Sequence, residues 1–176
     1  MLLLLVLKSS SLLQVNMNKD LSKIKLIVLD VDGTLTDGGV YIDSNGVETK
    51  KFNIKDGAGI VLAEKAGIEF MILTGRKSYC VEKRAEELKI KYVFQGIMDK
   101  LKYLNNFLQE HNLSPEQVAY MGDDVNDLEC MQYVGFTACP ADAVKKVCEY
   151  VDFVSQFNGG CGAVREICDM IKDTIK

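Results

Sequence analysis

The sequence predicts an α/β fold: a parallel sheet with helices on both faces and a β-hairpin inserted after the first strand. Three observations carry this. Short apolar runs alternate with capped or amphipathic segments along most of the chain. The chain has 176 residues, 48% hydrophobic and 26% charged, enough for one domain with a sizeable core. The chemically special residues fall at the ends of the apolar runs, where a parallel sheet gathers its loops.

The elements follow in order. Residues 1–20 open on an apolar run without a basic region before it or a small-residue cleavage site after it. That run is too short to span a bilayer. We read 1–20 as a poorly ordered extension, with Met17 as the candidate initiator, and 21–176 as one domain. Lys25–Leu29 is strand 1. Val40–Asp43 and Val47–Phe52 form a hairpin turned at Asn45-Gly46, a type I′ signal. Asp56 is expected to cap a helix running to about Ala66. Ile68–Thr74 is a strand, Arg76–Lys89 an amphipathic helix, Tyr92–Gly96 a short strand and Lys100–His111 a helix. Ser114-Pro115 places an N-cap before a proline, opening a helical turn ahead of the strand "VAYMGDD". Asn126–Tyr133 is a helix, Phe136–Ala138 a strand, Ala141–Tyr150 a helix, Val151–Val154 a strand and Ala163–Ile175 a helix.

Composition excludes several classes of function. The net charge of −4 gives no broad basic surface for nucleic acid. The six cysteines have no C-x-x-C spacing and there is one histidine, His111, so neither zinc nor a disulfide framework is indicated. Scattered thiols fit a reducing cytoplasm.

Strand 1 ends in two aspartates, Asp30 and Asp32. Thr74 ends "MILT", Lys100 opens a helix, and Asp123, Asp124 and Asp127 follow "VAYMG". All converge on one sheet edge. Acids so close repel one another unless a cation lies among them, and oxygen donors alone favour a hard ion, Mg²⁺. A metal-held carboxylate beside a lysine and a threonine suits phosphoryl transfer. Asp30 is then the nucleophile. Asp32 is the acid that protonates the leaving oxygen and the base that activates water. Gly33 permits a sharp turn with backbone N–H groups free for phosphate. A calcium loop counted from Asp30 fails, because Leu35 and Tyr41 stand where glycine and glutamate are required. Neither a P-loop nor a Rossmann glycine fingerprint is present. D-x-D-G by itself reads more readily as a capped turn, a reading that loses ground once Thr74, Lys100 and G-D-D-x-x-D follow in order. A receiver module that holds phosphate on aspartate, and a phosphomutase, are the remaining alternatives.

Over residues 24–172 the chain resembles the haloacid dehalogenase superfamily. "DVDGTLTD", Thr74 in "LTGR", Lys100 and "GDDVND" match its four motifs. The resemblance implies a Rossmann-like sheet, Asp30, Asp32, Thr74, Lys100 and Asp127 in catalysis, and Mg²⁺ held by Asp30, Asp123 and the carbonyl of Asp32. Asp127 would orient Lys100 and Asp124 would be secondary. The gaps from Asp37 to Thr74 and from Thr74 to Lys100 are too short for a cap domain. "DVDGTLTDGGVYIDSNGVETKKFNIKDGAGI", "LTGRKS", "QGIMDKL" and "NGGCGAVREICDMI" are similar to the capless 3-deoxy-D-manno-octulosonate 8-phosphate phosphatases. That family implies a phosphorylated sugar acid as substrate, in lipopolysaccharide or surface-sugar synthesis in the cytoplasm, with relatives acting on nine-carbon ulosonate 9-phosphates. Gly33, Thr74, Gly75, Arg76, Arg84 and Lys100 are the candidate substrate contacts. Arg84 is placed two turns along the helix that carries Arg76. Cys161 stands where the family's tail often has arginine. The family implies a homotetramer with composite active sites and no membrane or nucleic-acid partner. The segment Asn158–Gly162 is expected to be flexible enough to reach a neighbouring subunit.

Overall fold

A computed structural model describes residues 19–175. Six strands form one parallel sheet in the order β5-β4-β1-β6-β7-β8: β1 Leu26–Leu29, β4 Glu69–Thr74, β5 Tyr92–Gln95, β6 Val118–Met121, β7 Phe136–Cys139 and β8 Phe153–Val154. The hairpin strands β2 Tyr41–Ile42 and β3 Glu48–Thr49 pair only with each other. Helices α1 Ile54–Lys65, α2 Tyr79–Leu88 and α6 Ala163–Lys172 cover one face. Helices α3 Lys100–Glu110, α4 Leu128–Tyr133 and α5 Lys145–Cys148 cover the other.

The pleat of β1 explains the two layers. Ile27 and Leu29 enter the core beneath α1, α2 and α6, while Leu26 and Val28 enter the core beneath α3 and α4. A strand buried on both faces reads as an unbroken apolar run rather than an alternating one. Two strands lie on one side of β1 and three on the other. Chain direction through the sheet therefore reverses between β1 and β6, and ligands bind at such a switch point. A receiver has one strand beyond its first on that side, so this order excludes that reading. Among the described residues, only the hairpin and α1 lie between β1 and β4, and only α2 and β5 between Thr74 and Lys100. There is no cap, which removes the phosphomutase reading too.

Several elements differ from expectation. Residues 1–18 of the expected extension lie outside the described residues. Lys19 and Asp20 are described: Lys19 bonds Asp152 at 2.6 Å, and Asp20 caps a 3₁₀ turn over Leu21–Lys23. The hairpin turn is not type I′. Gly46 N–H donates to Asp43 O at 3.0 Å, and Gly46, not Asn45, has positive φ, +78°. This is a three-residue loop with a bulge at Gly46, held by Asp43 Oδ1 accepting from Asn45 and Val47. The cap of α1 is Asn53, whose Oδ1 accepts from Lys55 N–H at 2.7 Å. Asp56 is buried and serves another helix, accepting from Gly162 N–H and Arg165 N–H at the start of α6. Helix α5 keeps only four residues of the expected Ala141–Tyr150, because Val144 N–H bonds Asp123 O and Asp142 accepts from Gly159 N–H. Those bonds hold 142–144 out of helical geometry.

The segment Asn158–Gly162 does not swing free. Gly160 N–H bonds Thr34 O at 3.1 Å, and Asn53 Nδ2 donates to Gly160 O. A Cβ on Gly159 would lie 1.8 Å from Gly33 O. The tail is clamped against the chain's own turn after β1, which corrects the expectation that it is flexible.

Candidate active site

Asp30 follows the last residue of β1, and its N–H donates to Met121 O at 3.0 Å. That bond extends the β1–β6 ladder past the strand end and brings the two loops together. Lys100, at the first position of α3, reaches back into the site. Its ammonium bonds Asp30 Oδ1 and Asp127 Oδ1, each at 2.7 Å. Asp127 is fully buried and saturated: Oδ1 also accepts from Tyr120 Oη at 2.7 Å, and Oδ2 accepts from Asp123 N–H and Asp124 N–H. Tyr120 is a functional residue that the sequence reading missed.

Oxygens of Asp30, Asp123 and Asp127 lie within 4.8 Å of one another. Burial first, then the Asp127 charge, pushes the Asp30 carboxyl up to about 7 despite Lys100. Burial and the neighbouring Asp30, Asp127 and Asp124 charges raise Asp123 to about 7 as well. Burial pulls the Lys100 ammonium down, but the Asp30 and Asp127 carboxylates outweigh it and hold it charged. One lysine therefore does not neutralise three acids. The donor set is oxygen only and half-open, which fits a hard divalent cation, Mg²⁺. Because Asp127 already accepts four hydrogen bonds, Asp30 and Asp123 are the carboxylates left to hold it. The Asp32 carboxylate stands outside this cluster and bonds Lys50 instead.

Glycines make the close approach possible. Gly33 has φ +88°, and a Cβ there would meet Asp123 Oδ2 at 2.1 Å. The turn after Asp32 can carry no side chain without displacing a carboxylate of the cluster.

The remaining candidates divide. Thr74 is buried at the end of β4, beside β1. Gly75 has no neighbour closer than ordinary contact for an added Cβ. Arg76 lies in the loop before α2, not on it. Its guanidinium bonds Glu48 of the hairpin and approaches Asp32 Oδ1 at 3.9 Å. Arg84 is on α2, so the two arginines share no helix face. Its guanidinium donates to Asn53 O at 3.1 Å, pairs with Glu87, lies over the Phe52 ring and packs on Gly57 of α1. These contacts make Arg84 a brace between α1 and α2.

A profile of haloacid dehalogenase-like hydrolases matches residues 27–97 and 93–167. The chain belongs to the haloacid dehalogenase-like hydrolases. Within that family, the chain is 44% identical over 148 residues to the 3-deoxy-D-manno-octulosonate 8-phosphate phosphatase KdsC of Escherichia coli K12, covering 84% of this chain and 79% of the relative. The corresponding Yersinia pestis protein is 41% identical over 150 residues, covering 85% and 80%. Among solved structures, the Yersinia pestis phosphatase superposes with a TM-score of 0.86 at 39% identity, covering 88% of this chain and 84% of that one. The Moraxella catarrhalis phosphatase, crystallised with magnesium, phosphate and KDO, also gives 0.86, at 36% identity and coverage of 89% and 90%. The haloacid dehalogenase-like fold thus extends over the whole sheet described above.

Proposed function

We propose that this chain is a Mg²⁺-dependent phosphatase that hydrolyses 3-deoxy-D-manno-octulosonate 8-phosphate to the free sugar acid and phosphate. The observation that carries the reading is the buried Asp30 carboxylate held by Lys100 at the switch point, with Asp123 beside it. Arg76, next to Thr74 and Gly75 at the mouth, supports a substrate that carries a second anion, since a guanidinium matches a carboxylate. The activity of the KdsC relatives supports the particular sugar acid.

In the first step an Asp30 oxygen attacks phosphorus in line. The bond from phosphorus to the sugar oxygen breaks, and Asp32 gives that oxygen its proton. In the second step Asp32, now a carboxylate, takes a proton from water. The water oxygen attacks phosphorus, and the Asp30–phosphorus bond breaks to release phosphate. Lys100 offsets charge on the phosphoryl oxygens, Asp127 keeps Lys100 in place, and Thr74 and the turn at Gly33 bind the phosphoryl group. Asp30, Asp123 and the Asp32 carbonyl would hold Mg²⁺, which would supply further charge neutralisation when bound.

The test is phosphate release with Mg²⁺ across octulosonate 8-phosphate, a nine-carbon ulosonate 9-phosphate and hexose phosphates. The octulosonate should have the highest kcat/KM. A higher value for the nine-carbon substrate would reassign the sugar, and no release from any of them would overturn the phosphatase reading. We further propose a cytoplasmic homotetramer. Val40, Ile42 and Val47 of the hairpin are more than half exposed, and an apolar two-stranded arm is an edge that another copy can cover. No helix of the described residues is long and apolar enough to cross a membrane.

A further inference from the structure

The hairpin carries two consecutive lysines with opposite fates. Lys51 is exposed and pairs with Asp37 at 3.3 Å. The Lys50 side chain is 1% exposed; its ammonium bonds Asp32 Oδ1 and stands 3.5 Å from Glu48 Oε1. Arg76 pairs with the same Glu48 oxygen, Oε1, and comes within 3.9 Å of Asp32 Oδ1. Among the described residues, the Asp32 carboxylate has no other side-chain partner. Burying an ammonium is costly even when it is paired, so a shielded lysine just past a two-residue strand is poorly explained by stability alone. Alternation along the arm puts Glu48 and Lys50 on the site side and Lys51 on the solvent side.

Resting on the phosphatase reading above, we propose that Lys50 is a positioning residue for Asp32. By occupying Oδ1 it fixes the carboxyl group and leaves Oδ2 as the oxygen that carries the proton. That proton passes from Oδ2 to the sugar oxygen as the phosphorus–oxygen bond breaks. Oδ2 then takes a proton from the attacking water as the Asp30–phosphorus bond breaks. Glu48 balances Lys50 and Arg76, so the arm delivers a charged lysine without a net positive charge of two. The hairpin, which lies outside the sheet, thereby reaches the proton-transfer step.

A double-mutant cycle tests this with Lys50→Met, Lys50→Arg, Asp32→Ala and the double variant Lys50→Met with Asp32→Ala. Two substrates are used, the octulosonate phosphate and p-nitrophenyl phosphate, whose leaving group departs without needing a proton. Lys50→Met should lower kcat on the sugar phosphate by about 30-fold or more, within the range of a displaced general acid, with little change in KM. The p-nitrophenolate burst, which reports the first step alone, should be nearly unchanged. Lys50→Arg should recover part of the loss. In the Asp32→Ala background, Lys50→Met should cost less than about threefold, because the group it positions is gone. Equal losses in both backgrounds would overturn the proposal. So would a change confined to KM for the sugar acid, which makes Lys50 a substrate contact, or a lowered Tm with a proportionate loss of burst, which makes it a structural pair. If the wild type turns over a different alkyl phosphate, the substrate assignment fails while the cycle, run on that phosphate, still decides the role of Lys50. A wild type that cleaves no phosphate monoester would remove both.

Discussion

Asp30 and Asp32 are two residues apart, yet they occupy different chemical environments. Asp30 sits in the acid cluster against Lys100, and Asp32 turns to the hairpin lysine. Their substitutions should separate accordingly. Asp30→Asn should abolish turnover with the far-ultraviolet dichroism unchanged, because an amide is no nucleophile and a poor metal ligand. Asp32→Ala should slow the sugar phosphate by roughly 10²–10⁴-fold and the p-nitrophenolate burst far less. A pH prediction follows from the two raised carboxyls. Without metal, the folded chain keeps protons on Asp30 and Asp123 up to about 7, while an unfolded chain releases them near 3.8. The native state then binds more protons in that window, so these groups lower stability as pH rises through it. Mg²⁺ competes with those protons. Its rise in Tm, read against chelator by differential scanning fluorimetry, should be larger at pH 8 than at pH 5.5; an equal rise would contradict the cluster as the binding site. The aspartates and Thr74 could be read directly from the sequence because they stand at or just past the ends of apolar runs, and Lys100 because it opens a helix. Tyr120 could not: inside "VAYM" it reads as core, and only the folded chain brings its hydroxyl to Asp127. Lys50 was hidden by Lys51, since two adjacent lysines read as a solvated arm.

Elements tell a similar story about local and tertiary signals. The alternating strands and helices could all be read, because burial on both faces imposes long apolar runs. Their ends were less legible where a side chain had two possible partners. Asn53 and Asp56 are both capping residue types three positions apart, and the sequence does not say which caps α1. The structure uses both, Asn53 on α1 and Asp56 on α6. Asp56→Ala should therefore cost about 1–2 kcal/mol by loss of a helix cap. Its effect should fall on α6, seen as faster amide exchange at Gly162 and Arg165 in hydrogen-exchange measurements, with α1 protected as before. Burial raises the Asp56 carboxyl, while the N–H groups of Arg165 and Gly162 oppose that shift. Asp56→Asn keeps an acceptor oxygen and should lose less than the alanine variant. Gly57 and Gly59 weaken the intrinsic helix propensity of α1. In the fold they are spacers: Cβ atoms there would meet Arg84 and Arg165, so both glycines let α2 and α6 approach α1.

For the molecule as a whole, the absence of a cap among the described residues leaves the mouth open. Exposed apolar residues of the hairpin stand on an arm joined to the body by its base, where Thr36 pairs with Phe52, and by the ion pairs of Lys50 and Glu48. Replacing Val40, Ile42 and Val47 together with serine should convert the proposed tetramer to a smaller species in light scattering and raise KM for the sugar acid. A wild type that is monomeric and fully active would refute the assembly.

The clamp of Gly159 and Gly160 on the turn at Gly33 joins the last tenth of the chain to the first chemically active loop. During synthesis, the segment bearing Asp30 leaves the ribosome long before the glycines that brace it. The strands around β1 can pair earlier, but that turn finds its final support only once the segment bearing Gly159 and Gly160 has been made. A chain terminated before Asn158 would carry every catalytic group and still lack the partner that fixes their loop. Synthesis of that glycine segment thus acts as a late step in building the catalytic loop.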